Sequence, residues 1–95
     1  MDQDKYFIVR ADRAGVFFGK IKEQADTSVT MTNVRKIHYW ERAAAVEEIS
    51  QNGVDGDSRL TVVVPEMKIS NPIQVIPCTD QATENLKGWK VWTSK

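Results

Sequence analysis

The chain has 95 residues, of which 41% are hydrophobic and 27% charged, a globular mixture that predicts one domain spanning residues 1–95. Its 13 basic and 13 acidic side chains give a formal net charge of zero, which argues against bulk attraction to nucleic acid or to a membrane surface. The only cysteine, Cys78, excludes an internal disulfide and a cysteine-rich zinc site. The acidic start and the lack of a long apolar stretch predict no signal peptide and no membrane span, which favours a reducing, cytoplasmic setting.

The first predicted unit is a β-hairpin. Segments 5–10 and 16–23 are rich in aromatic and β-branched residues, and the polar stretch 11–15 between them has the composition of a turn. Gly19 interrupts the second segment, where a missing side chain is typical of a bulge or of a close approach by a neighbouring strand.

A third strand is predicted over 28–33. Val29 and Met31 alternate there with serine and threonine, the period of a strand with one face buried and one facing solvent. Segment 34–40 continues this strand or follows it as another extended piece.

Two helices are predicted. The first spans about 42–52, where alanine and glutamate are frequent, and Gly53 follows at the position of a C-terminal cap. The second is short and spans 80–86, with Thr79 as its N-terminal cap. The apolar stripe of the first helix consists of Ala45, Val46 and Ile49.

The rest of the second half is predicted to be extended or looped. Segment 55–58 has the composition of a loop, 60–64 and 73–76 that of strands, and 67–70 that of a possible short strand. The predicted fold class is therefore α+β and mainly β. It consists of a small antiparallel sheet or partly open barrel of about five to seven strands, with one main helix and a short C-terminal helix.

The residue types needed for catalysis are sparse, so we expect no enzyme, metal or cofactor. His38 is the only histidine, and no second group that would orient its ring can be identified. Cys78 fits an inert buried thiol better than a nucleophile. Asp55 and Asp57 share a loop that lacks the distal carboxylate of a calcium site.

Segment 33–42 mixes cations with aromatic rings. If it is extended, Lys36, His38 and Trp40 lie on one face and Arg35, Ile37 and Tyr39 on the other. Arginine pairs with phosphate and aromatic rings stack on bases, so the segment is a candidate ligand site; the alternative is a core strand with solvated cations. The candidate ligand-binding residues are Arg35, Lys36, His38, Tyr39, Trp40, Arg10 and Arg59.

Large apolar side chains are predicted on both faces of the sheet. Phe17 and Phe18 are adjacent on one strand, as are Tyr39 and Trp40 on another, and neighbours on a strand point to opposite faces. Such a second face is usually buried against a helix or another subunit, and since the two predicted helices are short, we expect a homo-oligomer.

Several short motifs follow one another in the same order as in a known family. They are Ala14-Gly15-Val16-x-Phe18-Gly19, Asn33-x-Arg35-x-Ile37-x-x-Trp40, Ala44, Gly53-Val54 and Ile76-Pro77-Cys78-Thr79. Over roughly Tyr6 to Leu86 the chain resembles a family of small proteins encoded by tailed bacteriophages and prophages, for which no activity is established.

The resemblance implies a context rather than a reaction. Small accessory phage proteins often act in the host cytoplasm as inhibitors of bacterial defence, so we expect a binding protein that sequesters an anionic nucleotide signal. The alternative is an inhibitor that caps a host protein, and a third possibility is a DNA-associated accessory protein, which the lack of a basic excess disfavours.

Overall fold

The computed structural model describes residues 5–93. Within that range no helix is long and apolar enough to cross a membrane. The elements follow in the order β1 (Phe7–Ala11), β2 (Gly15–Gln24), β3 (Ser28–Glu41), α1 (Val46–Asn52), β4 (Asp55–Leu60), β5 (Val64–Ser70), β6 (Pro72–Pro77) and α2 (Asp80–Lys87).

The strands form an open antiparallel sheet in the order β4-β3-β2-β1-β6. The 14-residue β3 pairs with three other strands: β2 along one edge, and on the other edge β5 with its first half and β4 with its last residues. The predicted mainly β class with two helices is confirmed, and 28–33 and 34–40 are one continuous strand.

The sheet curls because β5 and β6 are joined by one residue, Asn71, yet pair with β3 and β1. The Asn71 N–H donates to the Thr27 carbonyl at 2.8 Å, and the Asn71 carbonyl accepts from the Asp12 N–H at 3.0 Å. Asn71 has a φ of 55°, a conformation that asparagine adopts more readily than most residues. These two bonds bring the start of β3 and the end of β1 together.

Both faces of the sheet are buried within one chain, so one premise of the oligomer prediction is wrong. Phe18 lies in a helix-facing core with residues from α1 and α2, and Phe17 lies in an opposite core with residues of β1, β3 and β5. Val29 and Met31 are both buried in the opposite core, as the alternation predicts, whereas Ser28, predicted to face solvent, is also buried.

The bulge predicted at Gly19 is confirmed. Phe18 pairs with Arg35, but Lys20 pairs with Thr32, so β3 carries an extra residue opposite Gly19. A Cβ atom on Gly19 would lie 2.9 Å from the Thr32 carbonyl oxygen, so the two backbones approach more closely there than any side chain allows.

Helix α1 begins at Val46, four residues later than predicted. Arg42 has a φ of 63°, which is incompatible with a right-handed helix, and Ala45 at the N-cap has no side chain that could cap the first turn. The C-terminus agrees with the prediction, since the Gly53 N–H donates to the Ile49 carbonyl at 2.8 Å and Gly53 has a φ of 81°.

Helix α2 agrees with the prediction at its start. The Thr79 hydroxyl accepts from the Ala82 N–H at 3.1 Å, and Asp80 lies in the first turn, where a negative charge is favourable. Ala82 and Leu86 are fully buried and attach the helix to the helix-facing core.

Two predictions in the middle of the chain are wrong. Residues 55–58 belong to strand β4, whereas residues 61–63 (Thr-Val-Val), predicted as strand, connect β4 to β5. Side chains stabilise the strand despite its loop-like composition: the Ser58 hydroxyl accepts from the Glu41 N–H at 2.9 Å and donates to the Asp55 carbonyl at 2.6 Å.

Candidate ligand-binding cleft

Three of the seven predicted site residues come together with one residue that was not predicted. His38 and Tyr39 lie near the end of β3, Arg59 lies opposite Tyr39 on β4, and Trp92 comes from the segment after α2. We call these four residues the aromatic–basic cluster. All four side chains are exposed.

A bulge in β3 presents two consecutive rings to solvent. Ile37 pairs with Leu60 and Tyr39 with Arg59, so His38 is an extra residue between them. The strict alternation predicted for this segment therefore fails: Ile37 is buried, but His38 and Tyr39 are both exposed. Bulges commonly redirect side chains in this way beside functional sites.

Ring contacts hold the cluster together. The Arg59 guanidinium carbon lies 5.5 Å from the centre of the Tyr39 ring and 5.7 Å from that of Trp92. The Trp92 ring also stacks on His38, with ring centres 4.7 Å apart and planes within 10°. Each exposed cation–ring contact contributes on the order of 0.5–1 kcal/mol, and the Arg59 donors form no hydrogen bond to any residue within 5–93.

Glu41 orients Tyr39. Its carboxylate accepts from the Asp57 N–H at 3.0 Å and from the Tyr39 hydroxyl at 2.9 Å. These hydrogen bonds, that from Asp57 first, hold the pKa of Glu41 below its ordinary value, and the bond to Glu41 raises the pKa of Tyr39. The phenol therefore stays neutral at physiological pH.

A cleft of about 280 Å³ opens beside the cluster. Its charged side chains are the cations of Arg59 and Lys90 and the carboxylate of Asp57, so one positive charge is in excess. Trp92 supplies an aromatic wall. The lining residues are Asp57, Ser58, Arg59, Lys90, Val91 and Trp92.

Arg35, the residue predicted to bind phosphate, lies outside this cleft. Its side chain is only 2% exposed, and burial lowers the pKa of its guanidinium. Its donors are engaged by backbone carbonyls, so no free face is available to an anion, and we leave Arg35 out of the site. The acceptors are the carbonyl oxygens of Thr61, Leu86 and Trp89, each at 2.8 Å, and of Lys90 at 3.3 Å.

The other three predicted residues are also placed elsewhere. Lys36 lies beside Gly15, where a Cβ atom would be 2.9 Å from the lysine Cε. Trp40 packs against the helix-facing core. Arg10 is exposed on β1, which two strands separate from β4, and its charge acts on Glu47 of α1.

Sequence reasoning missed the contribution of the C-terminal residues. Trp92 is placed by its own backbone, whose N–H donates to the Leu60 carbonyl at 2.9 Å, and Val91 forms a parallel bridge to Leu60. The available signal was the pair Trp89 and Trp92 near the end of the chain, since tryptophan is common at binding surfaces.

The side chains considered for catalysis, Cys78 and His38, lie in different parts of the fold. Cys78 is buried, and burial raises the pKa of its thiol to about 12, so no reactive thiolate forms at neutral pH. His38 faces Trp92 in a ring stack. Among residues 5–93, no group of three or more histidine, cysteine, aspartate or glutamate side chains is arranged to hold a metal ion.

Comparison with known proteins places the chain in one family. No curated protein and no solved structure matches it. A family model described as a domain of unknown function, DUF6948, matches residues 4–86 and so ends before Lys90 and Trp92. Since this match covers most of the 95 residues, the chain belongs to the DUF6948 family.

Proposed function

We propose that this protein is a non-enzymatic accessory protein of tailed bacteriophages or prophages that acts in the host cytoplasm and sequesters an anionic nucleotide signal. The observation that carries the proposal is Arg59, which lies within 6 Å of the Tyr39 and Trp92 ring centres at the mouth of a cleft. The phage context rests on the sequence motifs described above.

The cleft offers the two kinds of contact that a nucleotide needs. Arg59 and Lys90 are cations for phosphate oxygens, and the guanidinium of arginine can pair with phosphate through two parallel hydrogen bonds. The Trp92 ring stacks on His38 through one face and stays 38% exposed, so it offers aromatic surface to a base, and base stacking contributes about 1–3 kcal/mol. Asp57 is an acceptor for ribose hydroxyl or exocyclic amino groups.

The size of the cleft favours a small ligand. Its volume of about 280 Å³ lies just below the range of roughly 300–1,000 Å³ that is usual for small-molecule sites. A nucleotide of one or two phosphates suits such a cleft better than a longer oligonucleotide. The zero net charge of the chain agrees with recognition by a local site.

Binding without turnover is supported by the positions of the Cys78 thiol and the His38 ring, the two side chains considered for catalysis. The Cys78 thiol is buried away from the cleft lining, and the ring of His38 is engaged with Trp92. Capture of a signal molecule requires affinity alone, which cations and rings supply.

A thermal-shift screen against cyclic and ADP-ribose-type nucleotides tests the proposal. A ligand at about 100 times its Kd stabilises the folded state by roughly 2.7 kcal/mol, which raises the Tm by on the order of 10–20 °C for a chain of this size. A panel in which no nucleotide raises the Tm at millimolar concentration contradicts the proposal.

Arg59 variants identify the site once a ligand is found. We expect Arg59→Ala to weaken binding at least tenfold, or about 1.4 kcal/mol, and Arg59→Lys to have an intermediate effect because lysine keeps the charge but lacks the planar fork. Arg10→Ala is the matched control, since Arg10 is exposed on a distant strand. Equal affinity of the Arg59 and Arg10 variants would place the ligand elsewhere.

The same surface supports a second function, inhibition of a host protein by direct capping. Arginine, tyrosine and tryptophan are the residues most enriched at binding hot spots, and Arg59, Tyr39 and Trp92 form such a group with the exposed Val91 beside them. A capping protein binds its target without any change in Tm on addition of nucleotides. The third possibility, DNA association, has no comparable support in the cleft.

A further inference from the structure

The segment that follows α2 is held in place by hydrogen bonds to its backbone and by contacts of its two tryptophan side chains. We call residues 88–93 the tail segment. Arg35 donates to the carbonyl oxygens of Leu86, Trp89 and Lys90, which lie just before and within this segment. A buried guanidinium at the C-terminal end of a helix is favourable because the last carbonyls of the helix carry partial negative charge.

Further bonds fix the tail segment along β4. The Trp92 N–H donates to the Leu60 carbonyl at 2.9 Å, and the Trp89 indole N–H donates to the Ser58 carbonyl at 2.8 Å. Together with Arg35, these contacts define the path of the chain from the end of α2 to the cleft.

The side chains that line the cleft take no part in these bonds. Lys90 and Trp92 are held by a backbone carbonyl and a backbone N–H, respectively, and their side chains face the cleft. We call the bonds from Arg35 to the carbonyls of this segment, together with the bond from the Trp92 N–H to the Leu60 carbonyl, the backbone clamp. These bonds use only backbone atoms of Lys90 and Trp92 and so do not depend on which side chains stand there. The match to the DUF6948 family ends at residue 86, before this segment begins.

We propose that the tail segment is the specificity-determining wall of the cleft, and that Arg35 is the positioning residue that holds it there. Arg35 and Arg59 thus have different roles. Arg59 contacts the ligand, and Arg35 fixes the backbone from which the Lys90 and Trp92 side chains extend into the cleft. This inference rests on the proposed function for the nature of the ligand, but the clamp itself can be tested without a ligand.

Hydrogen exchange followed by NMR tests the clamp. In the wild-type chain we expect protection of the Trp92 amide and of the Trp89 indole N–H. Arg35→Lys keeps a cation but has too few donors in the right geometry for four carbonyls, so both groups should exchange at least tenfold faster. Amides in the centre of the β2–β3 pair should change much less.

Two results would overturn the clamp, whatever the ligand is. One is rapid exchange of the Trp92 amide in the wild-type chain, and the other is unchanged protection of that amide in Arg35→Lys. If Arg35→Lys does not fold, Trp89→Phe removes the indole bond to the Ser58 carbonyl while keeping an aromatic ring against the helix-facing core. The same acceleration at the Trp92 amide is then expected, and unchanged protection overturns the clamp.

Charge reversal in the tail tests the specificity. We expect Lys90→Glu to weaken a nucleotide with two phosphates at least tenfold more than one with a single phosphate, at an unchanged Tm, because the Lys90 side chain is exposed and only its carbonyl is clamped. Lys68→Glu on β5 is the matched control. Equal weakening of both ligands overturns the inference but leaves the proposed function intact, whereas a wild-type chain that binds no nucleotide overturns both.

Discussion

Phe18 and Arg35 are direct partners across β2 and β3, so a fully buried aromatic ring and a buried guanidinium share the helix-facing side of the sheet. The ring belongs to the helix-facing core, and the guanidinium satisfies four carbonyl oxygens at the edge of that core. A charge in this position is tolerated because every contact replaces a hydrogen bond to water.

The first prediction concerns Arg35→Ala. The substitution deprives several buried or half-buried carbonyls of their donor, and an unsatisfied buried group costs about 1–3 kcal/mol. We expect the free energy of unfolding to fall by roughly 3 kcal/mol or more, measured by urea denaturation. Arg10→Ala, an exposed control, should lie within about 0.5 kcal/mol of the wild type. A similar small effect in both variants would show that the Arg35 bonds contribute little.

The second prediction concerns Gly19→Ala. The added methyl group would lie 2.9 Å from the Thr32 carbonyl oxygen and 3.2 Å from the Asn33 carbonyl oxygen, and backbone atoms cannot move aside easily. We expect a loss of about 1–3 kcal/mol in denaturant unfolding. Gly88→Ala is the control, because its nearest contact is an ordinary 3.4 Å to Glu84 and the change should be near neutral.

The third prediction concerns Cys78. Because burial raises the pKa of its thiol to about 12, the native protein should react very slowly with a thiol reagent at pH 8, whereas the urea-unfolded chain reacts at once. Fast modification of the native protein would contradict the burial of this side chain.

The same pKa has a consequence for stability. The folded-state pKa of Cys78 lies above the ordinary value of 9.0. The neutral thiol therefore contributes fully to the free energy of unfolding below pH 9, and this contribution is lost as the pH rises from about 9 towards 12. Denaturation curves of wild type and Cys78→Ala should therefore converge with rising pH in that window. Parallel curves would show that another group causes the alkaline loss.

The fourth prediction concerns self-association. Burial of Phe17 and Phe18 removes the original reason for expecting a homo-oligomer, but strand β6 carries no charged residue and exposes Ile73 at 57% and Val75 at 37%. Uncharged edge strands tend to pair with a second copy. We expect a mass above 10.8 kDa by light scattering, and monomers for Val75→Lys. A wild-type mass of 10.8 kDa at micromolar concentration would rule this out.

The parts of the fold that follow local rules were predictable from the sequence. Alternation over 28–33 identified the faces of a strand, Thr79 identified the start of a helix, and Gly19 identified the bulge. Each of these signals is contained within a few residues. The start of α1 was not, because the positive φ of Arg42 reflects the exit of the chain from β3 and the Ala-rich composition gives no sign of it.

The errors arose where distant residues decide the local structure. Residues 55–58 form a strand because β3 extends far enough to pair with them and because Glu41 accepts from the Asp57 N–H. The segment 61–63 consists of β-branched residues typical of strands, but it serves as the connection from β4 to β5, which pair with different parts of β3.

The candidate site was predicted only in part for the same reason. The mixture of rings and cations identified His38 and Tyr39, and Arg59 was among the candidate ligand-binding residues. No rule of spacing distinguishes an exposed arginine from one such as Arg35, whose acceptors lie more than 25 residues away in the chain. Trp92 was unpredictable as a cluster member because its position depends on contacts with residues far away in the chain, such as the backbone bond to Leu60 and the ring stack on His38.

The single-residue link at Asn71 has a consequence for the route by which the chain folds. Strand β6 pairs with β1 near the opposite end of the sequence, as in the pair Ile8 and Ile76, and β5 must reach back across α1 and β4 to β3. Both pairings close long loops, and Asn71 makes them interdependent because neither strand can move far without the other. Topologies dominated by such distant pairings fold in milliseconds to seconds, much more slowly than helical bundles of equal size. Until β6 pairs during folding, the backbone edge of β1 that it covers in the native sheet therefore remains exposed.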